Sequence, residues 1–188
     1  MILKRIFDIV LSLFLMPVIL LPAILIAILI IIETKDHPIF LSKRVGKKNI
    51  LFLMPKFRTM RSNTPQVATH LLKNSHLYIT KIGKFLRKTS LDEIPQIVSV
   101  LIGHMSFVGP RPALFNQKDL IKLRSKNNIH LLTPGITGWA QINGRDDISV
   151  SKKVEIEVYY EKNISIFLDI KILLLTILKV FKMHNISH

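Results

Sequence analysis

The sequence predicts a mainly helical α+β protein in which a long membrane helix precedes a small mixed domain. Residues 9–32 contain no charged side chain, although the 188-residue chain carries a net charge of +15. After Glu33, short apolar runs of strand length alternate with glycine, proline and basic residues. Further along the chain, apolar residues recur at helical spacing, most strongly in residues 167–182. These three observations predict the fold class.

The N-terminal apolar segment is long enough to cross a membrane. About 24 residues at about 1.5 Å each cover roughly 36 Å, more than a signal-peptide core and enough for a ~30 Å hydrocarbon layer. Pro17 and Pro22 each lack the N–H of a helical hydrogen bond and predict a break. Basic residues flank both ends, whereas a spanning helix is expected to have asymmetric flanks. We therefore predict a re-entrant helix bent at the two prolines, with a kinked spanning helix as the alternative.

The middle of the chain predicts short elements. Residues 38–41 and 50–54 are typical of two strands joined by a turn, the second ending near Pro55. Apolar stripes predict helices over about 70–88 and about 92–102. The glycine-rich segment 133–145 predicts an ordered loop or a short strand with a turn at its Asn-Gly pair. Residues 154–160 leave strand and helix open, because they alternate like a strand but are rich in Lys and Glu.

Residues 167–182 predict an apolar helix that is too short to span a membrane comfortably. Lys171, Lys179 and Lys182 fall within an arc of roughly 80° at about 100° per residue. This pattern favours an amphipathic helix in the membrane interface. A terminal helix buried in the domain is the equally acceptable alternative.

Composition excludes several classes of site. The chain has no cysteine, which excludes disulfides, thiolate metal sites and a cysteine nucleophile. The seven histidines have no metal-ligand spacing, so zinc is not expected. The basic charge would permit nucleic-acid binding, but aromatic content is 7% and no helix-turn-helix or RNA-recognition pattern is present. We therefore expect no nucleic acid among the partners.

Two adjacent carboxylates, Asp92 and Glu93, stand out in this basic sequence. Ser90 and Glu93 have the spacing of a helix capping box, which would make the pair purely structural. Pro95 argues against that interpretation, because it fits the first turn of a helix better than the second. With Asp92 as N-cap, the carboxylates would lie at a positive helix terminus beside any bound phosphate. An ionised carboxylate there could attack phosphorus or bind Mg²⁺.

Five basic residues occur in turn-like surroundings, beside glycine, proline or aromatic residues. Arg111 lies between two prolines, and the stiff backbone lowers the entropic cost of a bidentate phosphate contact. Scattered surface charge explains any one of these residues but explains the whole set less well. The set comprises Lys56, Arg58, Arg87, Arg111 and Arg145.

Four motifs in order make the sequence recognisable. They are KFRTM (56–60), KTSLDEIPQIVSVL (88–101), MSFVGPRP (105–112) and TPGITGWAQINGR (133–145). Together with KRIFDIV (4–10) and LDIKILLLTILKV (168–180), they resemble the bacterial sugar transferase family, the monotopic polyprenyl-phosphate phosphoglycosyl transferases. The short chain is similar to the small bacillosamine-phosphate transferases of protein glycosylation.

The resemblance implies an enzyme with a defined place in the cell. It would transfer a phosphosugar from a UDP-sugar to undecaprenyl phosphate, giving undecaprenyl-diphosphate-sugar and UMP as the first membrane step of glycan assembly. It would be monotopic, on the cytoplasmic face of the bacterial inner membrane and in contact with membrane lipids. Residues 1–34 would form the re-entrant helix, 35–165 a cytosolic catalytic domain, and 166–188 the interfacial helix and tail.

The resemblance also implies roles for individual residues. Asp92 would attack the β-phosphorus to form an aspartyl-phosphosugar, Glu93 would handle metal or proton, and both would bind Mg²⁺. The expected substrate-binding residues are Lys56, Arg58, Arg87, Arg111, Gln141, Asn143 and Arg145. The alternatives are a catalytically silent membrane scaffold and a membrane-anchored nucleic-acid-binding protein, and neither of these would respond to Asp92→Ala. The sequence does not identify the sugar.

Overall fold

The computed structural model describes residues 2–61, 64, 77–144 and 148–184, with side chains described up to residue 180. The strands are β1 (Ile39–Val45), β2 (Leu51–Phe57), β3 (Ser106–Val108), β4 (Ala113–Leu114) and β5 (Gly135–Thr137). The helices are α1 (Ile2–Thr34), α2 (Lys81–Thr89), α3 (Gln96–Leu101), α4 (Lys118–Lys126), α5 (Trp139–Asn143), α6 (Val150–Lys162) and α7 (Ile166–His184). The predicted mixed and mostly helical fold is therefore confirmed.

Helix α1 is long enough and apolar enough to cross a membrane, and it is the one such helix in the described part of the chain. It continues through Pro17 and Pro22 without dividing into two helices. Its buried side chains lie near its two ends, at Asp8 and Ser12 and at Ile26 and Ile30, while most of its apolar surface is exposed. The long apolar helix is confirmed, whereas the bend and the re-entrant path stay predictions.

The two strands predicted after α1 are confirmed and form an antiparallel pair. The register runs from Ile39 opposite Phe57 to Val45 opposite Leu51, and β4 adds to the other side of β1. The expected end of β2 near Pro55 is wrong, because β2 continues to Phe57. Strand β2 lies at the edge of its sheet, where a proline without an N–H is tolerated. As a result, Lys56 projects from a strand and not from a loop.

The helix predicted over 70–88 starts later. Helix α2 begins at Lys81, where the Thr80 side chain accepts a hydrogen bond from Gly83 N, and residues 65–76 lie outside the described residues. The helix predicted from Asp92 is also corrected. Residues Leu91–Glu93 form one 3₁₀ turn, and α3 begins only at Gln96, after Pro95. Asp92 is therefore not a helix N-cap.

Two further segments resolve as helices. Segment 133–145, expected as a loop or strand, contains β5 followed at once by α5. The ambiguous residues 154–160 lie in α6, whose first turn is capped by the Ser149 hydroxyl accepting from Lys152 N. Its Lys and Glu content thus outweighed its alternation, because side chains of α6 pack on α4 and α5 rather than in a sheet.

Helix α7 closes the core from one side. Ile172 is fully buried, and Asp169 binds both Lys4 Nζ of α1 (2.6 Å) and the Tyr160 hydroxyl of α6 (2.7 Å). The opposite side of α7 exposes apolar residues such as Phe167 and Leu178. A position of this exposed side in the membrane interface stays a prediction, as does the division of the chain at residues 34 and 166.

Candidate active site

The carboxylate pair lies on a tight turn between two helices. Helix α2 ends at Ser90, whose φ of 58° is in the left-handed region that non-glycine residues seldom adopt. The chain then makes the 3₁₀ turn Leu91–Glu93, in which Glu93 N donates to Ser90 O at 3.2 Å. Strain of this kind is tolerated where surrounding contacts fix the backbone. The turn points Asp92 and Glu93 toward β2 and the loop after β3.

Glu93 holds two cations from distant parts of the chain. Its Oε1 accepts from Lys56 Nζ of β2 and from an Arg111 guanidinium nitrogen, each at 2.6 Å. Burial opposes ionisation of Glu93, but Arg111 and Lys56 more than compensate and lower its pKa to about 2. Glu93 is therefore ionised at every physiological pH.

Asp92 is in a different electrostatic state. Its Oδ2 lies 3.8 Å from Lys56 Nζ, which is beyond hydrogen-bond distance. Burial raises the pKa of Asp92, and the neighbouring Glu93 raises it further, although Lys56, Arg87 and Arg111 oppose the shift. A carboxylate that has lost hydration and is not held by a short ion pair is suited to act as a nucleophile.

The positive charges of the site are destabilised by burial. Burial lowers the pKa of Lys56, and repulsion by Arg111 lowers it further, although Glu93 and Asp92 attract the ammonium group. Arg111 adds to the attraction that Glu93 experiences but repels Lys56, so the pKa of Glu93 is lowered strongly while burial still lowers that of Lys56. An anion entering this site would remove the repulsion among the cations.

Arg87 borders the pair from α2. Its Nε donates to the Thr59 hydroxyl at 2.8 Å, and burial lowers its pKa against the attraction of Asp92. Arg44 was missed by sequence reasoning. It lies in β1, donates to Pro112 O at 3.2 Å, and has its pKa lowered to about 10 by burial and by Arg111. Strand alternation alone would have placed Arg44 on one face of β1, but not beside Arg111.

The loop carrying Arg111 is braced by the glycine-rich motif. Strands β3 and β5 pair in parallel, Gly109 N donates to Thr137 O at 2.9 Å, and Gly135 N donates to Pro110 O at 3.0 Å. A Cβ atom added to Gly138 would lie 2.1 Å from Gly109 O, so only glycine permits this approach. Residues 105–112 and 133–144, which belong to separate motifs in the sequence, are therefore one structural unit.

The other expected substrate-binding residues have mixed positions. Gln141 lies in α5, and its side-chain oxygen and nitrogen are both buried without a hydrogen-bond partner among the described residues. Asn143 Nδ2 donates to Trp139 O, and Arg58 Nε donates to His37 O at 2.7 Å and pairs with Asp36. Arg145 lies outside the described residues. The structure thus brings Lys56, Arg87 and Arg111 to the carboxylates, and the substrate-binding roles of all seven residues stay predictions.

The residues present fit a magnesium ion that substrate helps to bind. Within the described ranges no three carboxylate or histidine side chains form a cluster that could hold a metal alone. Mg²⁺ is commonly bound by one or two carboxylates together with substrate phosphates. Asp92 and Glu93 supply two adjacent carboxylates, and both short ion pairs of Glu93 use Oε1. The donor set suits that kind of site.

Comparison with known proteins identifies the family of the chain. Residues 1–183 match the family model of the bacterial sugar transferases. The chain belongs to this family. The resemblance inferred from the motifs and the expectation of a phosphoglycosyl transferase enzyme are thereby confirmed.

Relatives of different length share the family. The chain is 42% identical to the uncharacterized sugar transferase EpsL of Bacillus subtilis (strain 168), with 100% of this chain and 91% of that protein covered. It is 37% identical to a UDP-galactose-lipid carrier transferase of Erwinia amylovora, covering 96% of this chain and 40% of the relative. A UDP-glucose:undecaprenyl-phosphate glucose-1-phosphate transferase of Escherichia coli (strain K12) is also 37% identical, covering 95% of this chain and 40% of that relative. The chain therefore spans less than half the length of the two relatives whose substrates are named.

Proposed function

We propose that the protein transfers a sugar phosphate from a UDP-sugar to undecaprenyl phosphate, releasing UMP. The names of the relatives from Erwinia amylovora and Escherichia coli support the general reaction. Their donors differ, one carrying galactose and the other glucose, so the proposal covers a UDP-sugar without naming the sugar.

One observation carries the proposal: cations from three separate segments of the chain converge on a carboxylate pair. Lys56 and Arg111 bind Glu93 directly, and Arg87 attracts Asp92 from α2. Each of the three contributes a positive charge, whereas the pair contributes two negative charges. The surplus, increased by the neighbouring Arg44, suits a ligand rich in negative charge such as a diphosphate.

In the first proposed step, an Asp92 carboxylate oxygen attacks the β-phosphorus of the UDP-sugar. The bond between that phosphorus and the bridging oxygen breaks, and the electron pair leaves with UMP. The product is an aspartyl-phosphosugar on Asp92. The raised pKa that burial gives Asp92 matches a nucleophile with weak hydration, while Arg111 and Lys56 are placed to neutralise charge on the transferred phosphoryl group.

In the second proposed step, a phosphate oxygen of undecaprenyl phosphate attacks the same phosphorus. The bond to the Asp92 oxygen breaks and the carboxylate is regenerated, so that the cycle is ping-pong. The bacillosamine-type donor of protein glycosylation is one candidate among UDP-sugars for this cycle.

A magnesium ion held by Asp92 and Glu93 together with the donor diphosphate is part of the proposal. When bound, it would stabilise negative charge on the diphosphate and the leaving UMP. Glu93 is fixed for this task, since Lys56 and Arg111 hold one of its oxygens. The Lys56 ammonium group lies 2.6 Å from Glu93 Oε1 and 3.8 Å from Asp92 Oδ2, so both carboxylates face the same part of the site.

We also propose that α1 enters and leaves the membrane on the cytoplasmic face of the inner membrane. Near its start, Arg5 and Asp8 bind the domain, and near its end Glu33 accepts from Lys81 N and Ile82 N at 2.7 and 3.0 Å. Residues 8 and 33 of a straight helix are about 38 Å apart, more than the ~30 Å of a hydrocarbon core. One cytosolic domain that holds both ends is difficult to combine with a helix that crosses the bilayer.

Cysteine labelling tests this topology. Ile2→Cys and His37→Cys should both react with a membrane-impermeant thiol reagent from the cytoplasmic side only, against the background of a chain with no native cysteine. Reaction of residue 2 from the periplasmic side would establish the spanning alternative.

The reaction itself is tested by UMP release. The full chain, purified with lipids, is incubated with Mg²⁺, undecaprenyl phosphate and each of a panel of UDP-sugars, and UMP is measured. We expect release with at least one donor and loss of release in Asp92→Ala. A variant at an exposed ion pair, Lys152→Ala, is the matched control and should keep wild-type activity. Equal activity of Asp92→Ala and wild type would favour a scaffold or a binding protein.

A further inference from the structure

The first turns of α1 pack against α3 and β3, the two elements that adjoin the carboxylate turn and the Arg111 loop. Asp8 is 3% exposed and Ser12 is 0% exposed, although most side chains of this helix face outward. Asp8 is the one carboxylate in the first 32 residues of the chain. A buried carboxylate in an apolar helix requires hydrogen-bond partners that repay its lost hydration.

Those partners lie on β3. Asp8 Oδ1 accepts from the Ser106 hydroxyl at 3.0 Å and from Phe107 N at 3.1 Å. The Ser106 oxygen in turn accepts from Val108 N at 3.3 Å. Asp8 therefore holds one backbone group of β3 directly, at Phe107, and a second through the Ser106 hydroxyl, at Val108.

Strand β3 leads straight to the site. Val108 is followed by Gly109, Pro110 and Arg111, and Arg111 contacts Glu93 Oε1 at 2.6 Å. The hydrogen bonds of Gly109 and Pro110 with β5 restrict the backbone between β3 and Arg111. A shift of β3 is therefore expected to move Arg111 as well. The position of the Arg111 guanidinium thus depends on the register of β3.

The preceding turn of α1 supports the other wall. The Arg5 guanidinium donates to Val100 O at 2.5 Å and to Leu101 O at 2.6 Å, at the carboxyl end of α3. The opposite end of α3 follows the Asp92–Glu93 turn after two residues. Arg5 and Asp8 are neighbours on one face of α1, so a single helical turn contacts both elements that carry the site.

We propose that Asp8 is a positioning residue for phosphosugar transfer, acting from the membrane helix through β3 on Arg111 and Glu93. The inference rests on the proposed function and adds to it: the start of α1 sets the geometry of the site as well as anchoring the chain. A helix seated at its proper depth in the membrane would then hold the site in its productive arrangement.

The decisive feature of Asp8 is its acceptor oxygen. Asn keeps one carbonyl oxygen in the same place and can still accept from Ser106 and Phe107 N. Leu has a similar size but no acceptor, and it would leave both donors buried and unpaired. Ser12 provides the matched control, because its buried hydroxyl has no partner among the described residues and lies one turn further along the same helix.

The test measures single-turnover UMP release by the full chain in lipid nanodiscs, with donor and Mg²⁺ but without undecaprenyl phosphate. Asp8→Asn should stay within about threefold of wild type, whereas Asp8→Leu should lose about 10- to 100-fold, the effect of a misplacement of about 1 Å. The donor KM should change less than the rate in both. Ser12→Ala should match wild type, and Ser106→Ala, which removes the bond from the strand side, should fall between Asp8→Asn and Asp8→Leu.

A double-mutant cycle separates positioning from simple loss of structure. If Asp8 acts through Arg111, adding Asp8→Leu to Arg111→Lys should lower the rate little further. Fully additive losses, or a rate that falls only with the amount of folded membrane-bound protein, would overturn the inference. Wild-type protein that releases no UMP from any donor would instead overturn the proposed function and this inference with it, whereas an active wild type with unaffected Asp8 variants would overturn this inference alone.

Discussion

The domain contains two buried groups of ion pairs, and they differ in how completely their charges are matched. Between α4 and α6, Arg124 and Glu157 form a bidentate pair, and the side chains are 9% and 2% exposed. At the site, Glu93 shares one oxygen between Lys56 and Arg111, while Asp92 lies 3.8 Å from Lys56. The first group is closed, since each charge has one matched partner.

The site is an open group with surplus positive charge. The pKa of Lys56 is lowered by burial and by Arg111, and that of Asp92 is raised by burial. Charges that remain imperfectly matched without ligand are expected where a charged ligand completes the site, so such groups concentrate at functional sites. Closed pairs are expected to affect folding alone, whereas the open group is expected to affect activity through Asp92 and folding through its ion-paired carboxylate, Glu93.

The largest expected effect is at the least well paired charge. Asp92→Asn keeps the shape of the side chain but cannot form the proposed intermediate, so UMP release should fall about 10⁴-fold or more. Thermal unfolding should change little, because Asp92 lacks a short ion pair. A marked loss of stability with only a small loss of activity would place Asp92 in the closed class.

Breaking the closed pair should have the opposite outcome. Arg124→Met leaves Glu157 buried and unpaired, and we expect a loss of about 3–5 kcal/mol in the free energy of unfolding. The folded fraction should keep its rate of UMP release. Adding Glu157→Leu should restore most of the stability, which denaturant unfolding can measure. Failure of the second change to restore stability would show that Arg124 acts by other contacts.

Acid should act on the open group through Glu93. Its pKa of about 2 lies below the ordinary value of 4.5, so its ionised form stabilises the fold above pH 4.5 and this contribution is lost as pH falls toward 2. The shift corresponds to about 3 kcal/mol. In Glu93→Gln, unfolding measured in EDTA should depend less on pH across this window. An unchanged slope would mean that the two cations do not stabilise the Glu93 carboxylate.

The smallest effect is expected at the surface. Lys152 and Glu155 form a contact of 2.9 Å on α6 with both side chains more than half exposed. Lys152→Ala should alter unfolding by less than about 0.5 kcal/mol and leave activity unchanged. A larger change would contradict the assignment of stabilising charge to the buried pairs.

The pattern of apolar and turn residues along the sequence predicts the elements that depend on neighbouring residues alone. Helix α1 and strands β1 and β2 follow from an uninterrupted apolar run and from short runs between turns. The carboxylate turn was predicted in the right place but as the wrong structure, because the left-handed Ser90 ends α2 and allows an extra turn before Pro95. Helix α5 was missed, since five residues within a glycine-rich motif give no periodic signal.

Site residues that are defined by contacts between distant parts of the chain are the hardest to predict from the sequence. Lys56, Arg87 and Arg111 were expected at the site from their surroundings in the sequence and from the family resemblance, and they do lie there. Arg44 and Asp8 were not, because Arg44 reaches Pro112 and Asp8 reaches Ser106 only in the folded chain. Asp8 lies in the KRIFDIV segment (4–10), but nothing in that segment signals its contact with Ser106.

The proposed cycle depends on covalent phosphorylation of Asp92 by the donor. Purified protein mixed with UDP-sugar and Mg²⁺ but without undecaprenyl phosphate, then quenched and digested, should yield a peptide containing Asp92 whose mass has increased by one phosphosugar. The adduct should disappear when undecaprenyl phosphate is added, and it should be absent from Asp92→Asn. An active enzyme that never carries this adduct would transfer the phosphosugar directly between substrates and would contradict the account.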